Sequence, residues 1–163
     1  MVNRVIQFSA RIGMAAAVCV VTMSGDAHAV SASYSGAGCQ FYRDDLDYRW
    51  ERTTNGGLNN SGAAMLVSCP ITNLTPGTWN GITFGAVYVW NPGGQTTTCT
   101  IYASSVDGAV QGTQTKTRTL SGWGTLYFNG PSGMPSAFQW GSYTMRCTIP
   151  AAGAVYTYFL DQT

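Results

Sequence analysis

The sequence predicts an all-β fold: a two-sheet antiparallel sandwich of Greek-key or jelly-roll type, with about eight short strands and two disulfides. Three observations lead there. Glycine is abundant, 20 of 163 residues, and interrupts the chain at Gly36, Gly38, Gly56-Gly57, Gly93-Gly94, Gly108, Gly112, Gly122, Gly124, Gly130, Gly133, Gly141 and Gly153. The runs between these stops are rich in Val, Ile, Thr, Tyr, Phe and Trp, the residues that suit a pleated, half-buried surface. No segment repeats apolar residues at the i, i+3, i+4, i+7 spacing of a helix over three turns.

The strands follow in order. A first strand is expected near Cys39–Tyr42, then Ala63–Cys69, Ile82–Trp90, Thr96–Ala103, Thr113–Leu120, Thr125–Asn129, Ser142–Ile149 and Ala154–Leu160. Asn91-Pro92-Gly93-Gly94 reads as a hairpin turn, with Pro presetting one backbone angle and Gly supplying another. Ile82, Phe84, Ala86, Tyr88 and Trp90 alternate on one face, while Val87 and Val89 make the other face apolar too. That pattern predicts a central strand covered on both sides or twisting between sheets. Pro70 and Pro150 cannot donate to a ladder, so they mark expected strand exits close to Cys69 and Cys147.

The N-terminal stretch reads as a processed leader. Arg4 and Arg11 form a basic region, Ile12 to Met23 is an apolar run, and Ala27-His28-Ala29 is a small-residue cleavage site. The run is too short to span a bilayer, which needs about 20 residues. Val18 stands where a lipoprotein signal would need a small residue before Cys19. Residues 1–29 are thus expected to be a secretory signal peptide cleaved near Ala29, and 30–163 a single domain exported to the periplasm or the exterior. Cys39, Cys69, Cys99 and Cys147 then remain, an even number that in an exported domain predicts two disulfides. Shorter loops favour Cys39–Cys69 and Cys99–Cys147. A Cys69–Cys147 staple between sheets is the competing arrangement. The spacing holds no C-x-x-C pair, which argues against a zinc site.

Three segments stand out together: Gly57-Leu58-Asn59-Asn60-Ser61, Val67-Ser68-Cys69-Pro70-Ile71, and Tyr143-Thr144-Met145-Arg146-Cys147-Thr148-Ile149-Pro150. They resemble an uncharacterised group of small exported bacterial proteins carrying G-x-x-N-x-S, V-x-C-P and C-x-x-P segments. The resemblance covers the chain from Cys39 to about Asp161. It implies an exported β domain with paired cysteines, reads those segments as framework, and brings no known activity and no catalytic residue.

Composition excludes several kinds of chemistry. Only 9% of residues are charged and the formal net charge is +1, and removing the leader leaves equal numbers of each sign. Lys116 is the single lysine. Such a chain offers no field for nucleic acid or anionic lipid, and no membrane insertion is expected. The one histidine, His28, falls in the leader. The mature domain therefore lacks Ser-His-Asp, Cys-His and His-metal chemistry, and no catalytic residue is assigned. The densest charge, from Arg43 to Arg52, offers Asp44, Asp45 and Asp47 as candidate calcium ligands, since hard cations want clustered carboxylates. It lacks the glycine and distal glutamate of a calcium-binding helix-loop-helix loop. An exposed loop with locally paired charges is the plainer reading, and no cofactor is expected. Acids of the 44–51 cluster could otherwise serve a hydrolase needing two carboxylates.

Aromatics are the richer set, with five tryptophans and nine tyrosines. Trp50, Trp79 and Trp123, with Tyr48, stand beside Gly, Asn or charged residues where loops are expected. They are the candidate stacking platforms for glycan, whose sugar rings present flat C–H surfaces. Trp90 and Trp140 are expected inside or beside a disulfide. Thr113, Thr115, Thr117 and Thr119 alternate on one face, and Thr98 and Thr100 repeat the spacing. That is either a solvated edge strand or part of a flat array for an ordered surface. The expected function is a secreted, non-catalytic β-sandwich recognising glycan or envelope polymer. The rival readings are a structural or assembly subunit and, behind it, the hydrolase.

Overall fold

The structure is a computed structural model that describes residues 30–41, 49–72, 82–129 and 141–162. The described strands are β1 (Val30–Ser35), β2 (Gln40–Phe41), β3 (Trp50–Thr53), β4 (Gly56–Asn59), β5 (Met65–Ile71), β6 (Ile82–Ser104), β7 (Val110–Phe128), β8 (Ser142–Ile149) and β9 (Ala154–Gln162), with a 3-10 turn at Gly36–Gly38. All the pairings among the described residues are antiparallel. The hydrogen-bonded path runs β2-β5-β8-β6-β9-β4-β3, with β1 added to β9 and β7 to β6. The all-β sandwich is thus observed. Among the described residues no helix is long and apolar enough to cross a membrane.

Two of the nine strands are far from short. β6 has 23 residues and β7 has 19, and together they make one long hairpin that belongs to both layers. The tip-side half of β6, Thr98–Ser104, pairs with β8. The other half, Ile82–Trp90, pairs with β9. β7 accompanies β6 through both halves, opposite Gly85–Asn91 and again opposite Gln95–Ser104. One layer is therefore β2-β5-β8 with the tip half of the hairpin, and the other is the base half with β9, β1, β4 and β3.

Asn91-Pro92-Gly93-Gly94 does not close a hairpin, contrary to the sequence expectation. It is the corner at which β6 passes from one layer to the other, marked by a register shift between Asn91 and Gln95. Such sheet-switching corners need bends or bulges. Gly93 (φ 61°) and Gly94 (φ 73°) bend here with Gly122 (φ 84°) on the facing strand, conformations costly to a residue with a Cβ. Asn91 is buried and satisfies the interrupted ladder with its side chain. Its Nδ2 donates to the Gln95 carbonyl at 3.0 Å, and its Oδ1 accepts from the Thr97 hydroxyl at 2.7 Å.

The core lies between the layers. Val67, Cys69, Ile71, Ile101, Met145, Cys147 and Ile149 of one layer meet Val87, Val89, Leu126, Phe128, Val155, Tyr158 and Leu160 of the other. Polar groups also bridge them. The Tyr158 hydroxyl donates to the Pro70 carbonyl at 2.6 Å, and Gln162 Nε2 and the Tyr34 hydroxyl both donate to the Thr72 carbonyl. Pro70 itself lies inside β5, opposite Thr144, one residue before the strand end rather than at its exit. Pro150 does follow the end of β8 directly.

Both disulfides are the expected ones, Cys39–Cys69 and Cys99–Cys147. Cys99 and Cys147 are directly opposite on β6 and β8. Cys69 instead faces Met145 on the same β8. A Cys69–Cys147 bond would have joined neighbours within a layer, not the two sheets. Both crosslinks stabilise the β5–β8 layer, and disulfides of this kind persist in oxidising surroundings.

Asn59 and Ser61 explain one of the motif segments physically. Asn59 is fully buried, and its Nδ2 donates to the carbonyls of Ala63, Ile149 and Pro150 at 2.9–3.0 Å. Its Oδ1 accepts from the backbone N–H and the hydroxyl of Ser61. One amide thus ties the end of β4 to the end of β8 in the other layer.

Candidate functional site

Among the described residues, the outward face of the β7-β6-β9-β1 sheet carries the exposed rings. Strand alternation sends Val87, Val89, Leu126 and Phe128 into the core and the residues between them outward. On β6 these are Phe84, Ala86, Tyr88 and Trp90. Opposite them on β7 stand Tyr127, Thr125 and Trp123, paired with Ala86, Tyr88 and Trp90. On β9 the partners of Phe84, Ala86 and Tyr88 are Asp161, Phe159 and Thr157. On β1 the series ends in Ser31, Ser33 and Ser35.

The rings gather in two clusters. Tyr88 stacks on Trp123 with centroids 5.2 Å apart and planes 12° from parallel. Tyr156 closes on Trp123 at 4.2 Å and meets Tyr88 edge-on at 6.5 Å. Tyr156 reaches the cluster because a register shift between Tyr88 and Val89 leaves it as the extra residue of β9. The second cluster is Phe84 with Tyr127 and Phe159, each at 6.2 Å. These rings are not filler: Trp123 is 52% exposed, Tyr127 53% and Tyr88 40%.

Beside the rings the face turns polar, and at its β7 edge the Arg118 guanidinium donates to the Thr125 carbonyl at 2.8 Å. The Ser31 hydroxyl donates to Asp161, and the hydroxyls of Ser33 and Thr157 are 3.3 Å apart. The other described carboxylates lie elsewhere. Asp107 sits at the hairpin tip, its pKa held below the usual carboxylate value by the Ser105 hydroxyl and the Ala109 N–H. Glu51, on β3, accepts from the Asn60 amide. Among the described residues no three metal-ligating side chains come together.

The sequence-derived candidates fare differently. Trp123 is exposed, but in a strand on a sheet face, not in a loop. Trp50 is a correction: it is 3% exposed and part of the core, so it offers no face to a ligand. It begins β3 with its indole laid over Gly57, where a Cβ would fall 2.0 Å from the ring. The missing side chain of Gly57 is the slot that buries it. Trp90, expected inside or near a disulfide, is half-buried on the outward aromatic face instead. Trp79, Tyr48, Asp44, Asp45, Asp47 and Trp140 lie outside the described residues. The sequence alone does not mark Tyr88, Tyr127, Tyr156, Phe84 and Phe159 as site residues. The alternation from Phe84 to Trp90 was visible, but with Val87 and Val89 between, it did not reveal which face is outward.

No family model and no curated protein matches the chain. Among solved structures, the isomalto-dextranase of Arthrobacter globiformis T6, complexed with panose, is similar at 15% identity and a TM-score of 0.48 over 80% of this chain. This chain spans 23% of that protein. A CBM35 from Paenibacillus barcinonensis is similar at 12% identity and a TM-score of 0.41, with 79% of this chain and 97% of that one covered.

Proposed function

We propose that this is a non-catalytic, glycan-binding β-sandwich of an exported protein, and that it binds through the outward face of the β7-β6-β9-β1 sheet. The observation carrying this reading is the exposure of Trp123, Tyr127 and Tyr88 side by side on one sheet face. A contiguous exposed apolar patch costs solubility and commonly marks a contact surface. Rings supply flat apolar area at little conformational cost. The neighbouring row of Ser31, Ser33, Thr157 and Asp161 supplies donors and acceptors for sugar hydroxyls.

A second reading, assembly with other copies, rests on β7. Among the described residues its partner is β6 alone, along nearly its whole length. An open edge of that length invites strand addition. The edge is blunted, however, by Lys116 and Arg118 and by the break at Gly122, features that discourage pairing.

The test is retention of the purified domain, residues 30–163, on insoluble cellulose, chitin and peptidoglycan. Trp123→Ala serves as the variant, with sedimentation to read the oligomeric state. Retention lost in Trp123→Ala with unchanged melting supports binding by this face. A discrete oligomer retained on none of the polymers moves the weight to assembly.

A further inference from the structure

Two cations line one edge of the aromatic strip. Gln114, Lys116 and Arg118 share a face of β7, opposite Ile101, Cys99 and Thr97. The strand bends at Gly122, and two contacts show how its halves then meet. Arg118 Nη1 donates to the Thr125 carbonyl at 2.8 Å, and Gln114 Nε2 approaches the Asn129 carbonyl at 3.5 Å. Lys116 stands between these two donors in the chain, as Tyr127 stands between Thr125 and Asn129. The cation row therefore runs alongside the row of Trp123, Thr125 and Tyr127. Tyr88, opposite Thr125, fills the middle of the strip and stacks on Trp123.

Neither cation is spent on the fold. A guanidinium carries five N–H donors and an ammonium three, so the bond to the Thr125 carbonyl holds Arg118 at the edge and leaves it donors to give. The described carboxylates Glu51, Asp107 and Asp161 bond to Asn60, Ser105 and Ser31, and among the described residues none pairs with Lys116 or Arg118. Asp161 shares the aromatic face, but it stands on β9, two strands from β7. An anionic ligand is thus opposed on the β9 side and met by opposite charge along β7. The planar fork of arginine matches a carboxylate in bidentate geometry, and the neighbouring rings suit the apolar faces of sugars. Resting on the glycan reading above, we propose that this face takes an acidic polysaccharide, its sugar carboxylates along the β7 edge at Arg118 and Lys116 and its rings against the aromatic strip.

The experiment titrates the domain with polygalacturonate, alginate and hyaluronan, each compared with its uncharged methyl ester, and with dextran sulfate as an anion lacking carboxylates. Calorimetry reads affinity, and thermal melting reads the fold of each variant. At least one acid should bind about tenfold or more tightly than its ester, the scale of a hydrogen bond to a charged group, and the advantage should shrink as salt rises. Arg118→Gln should remove most of that advantage and Lys116→Gln a smaller part, while Trp123→Ala weakens acid and ester alike. Lys116→Gln keeps the test valid if Arg118→Gln lowers melting through the lost bond to Thr125. Equal affinity for acid and ester, or an advantage that survives both substitutions together, overturns the carboxylate assignment and leaves the glycan reading standing. Dextran sulfate bound as tightly and indifferent to Trp123→Ala reduces the edge to a plain charge contact and overturns it as well. So does retention on cellulose, chitin or peptidoglycan with no acidic polymer bound at millimolar concentration. No polymer of any kind bound overturns both this inference and the reading beneath it.

Discussion

The β6–β7 hairpin presents two outward faces, one on each side of its Asn91–Gln95 corner, and they are built on opposite principles. Toward the tip, Thr96, Thr98 and Thr100 face Thr119, Thr117 and Thr115. Their hydroxyls pair across the strands at 2.7, 3.0 and 2.9 Å, so the polar groups there are already satisfied. Toward the base, the same alternation leaves Tyr88, Trp123 and Tyr127 exposed, with the rings of Tyr88 and Trp123 stacked on each other. The Thr side also lies over the layer holding both disulfides, whereas the aromatic layer has no crosslink among the described residues. One half of the hairpin is a self-satisfied, crosslinked surface. The other is held by packing and leaves apolar area open for a partner.

The strongest way to break this contrast is to remove the crosslink. Cys99–Cys147 closes a separation of 48 residues and Cys39–Cys69 one of 30. Each should contribute about 3–4 kcal/mol by the chain-entropy model, a large share of a typical margin of about 5–15 kcal/mol. Replacing Cys99 and Cys147 by Ser should lower the melting temperature by roughly 10 °C or more. Amide exchange should rise first in β5 and β8, before β9 and the base half of β6. Equal melting with and without reductant would falsify the stabilising role.

Next in size is the tie between layers at Asn59. Asn59→Ala leaves the carbonyls of Ile149 and Pro150 and the Ser61 N–H without this partner in a buried site. The expected cost is about 2–4 kcal/mol, in line with unsatisfied buried polar groups. Chemical denaturation checks it, and a loss below about 0.5 kcal/mol would show that water replaces the amide.

Tyr158 makes a smaller, pH-dependent contribution. Burial, and secondarily electrostatic interaction with Tyr34, whose ring stacks on it with centroids 5.0 Å away, raises its pKa above the ordinary value of 10.0. The unfolded chain releases this proton near pH 10 while the folded chain keeps it. Its contribution is therefore complete below about pH 10 and is lost as pH rises beyond that. Unfolding free energy should fall along this alkaline limb. Tyr158→Phe should flatten the limb while losing about 1 kcal/mol at neutral pH with the hydrogen bond to the Pro70 carbonyl. An unchanged limb would assign the alkaline sensitivity to other groups.

These features were unequally legible in the chain. The disulfides followed from an even cysteine count and loop length, and the strands of β5, β8 and β9 from β-branched and aromatic runs. The corner did not, because Asn-Pro-Gly-Gly has the same local chemistry in a tight turn and in a sheet switch. What decides between them is the distant pairing of Asn91 with Gly122. β1 was missed because Val-Ser-Ala-Ser-Tyr-Ser has little apolar content, and it is held by its pairing with β9. Trp50 was misjudged because its neighbours in sequence are charged. Its burial depends on Gly57 across the β3–β4 hairpin, visible only after pairing. The exposed rings were hidden for the converse reason. Apolar residues on both faces of β6 leave the outward side undefined until a second layer covers one of them.

The smallest effect gives the sharpest test of the two faces. Thr117→Val removes one hydroxyl of the pair with Thr98 while keeping shape and β propensity, and both sites can return a freed hydroxyl to solvent. Stability should change by less than about 1 kcal/mol, the scale of a cross-strand pair, and retention on polymer should be unaltered. Trp123→Ala should show the complementary pattern, with melting nearly unchanged and retention lost, because its ring is already half in solvent. Reversed outcomes, with Thr117→Val abolishing retention and Trp123→Ala sparing it, would place the polymer on the threonine surface. The hydroxyl pairs would then be a lattice held in place for a ligand, and the aromatic rings merely a tolerated exposure.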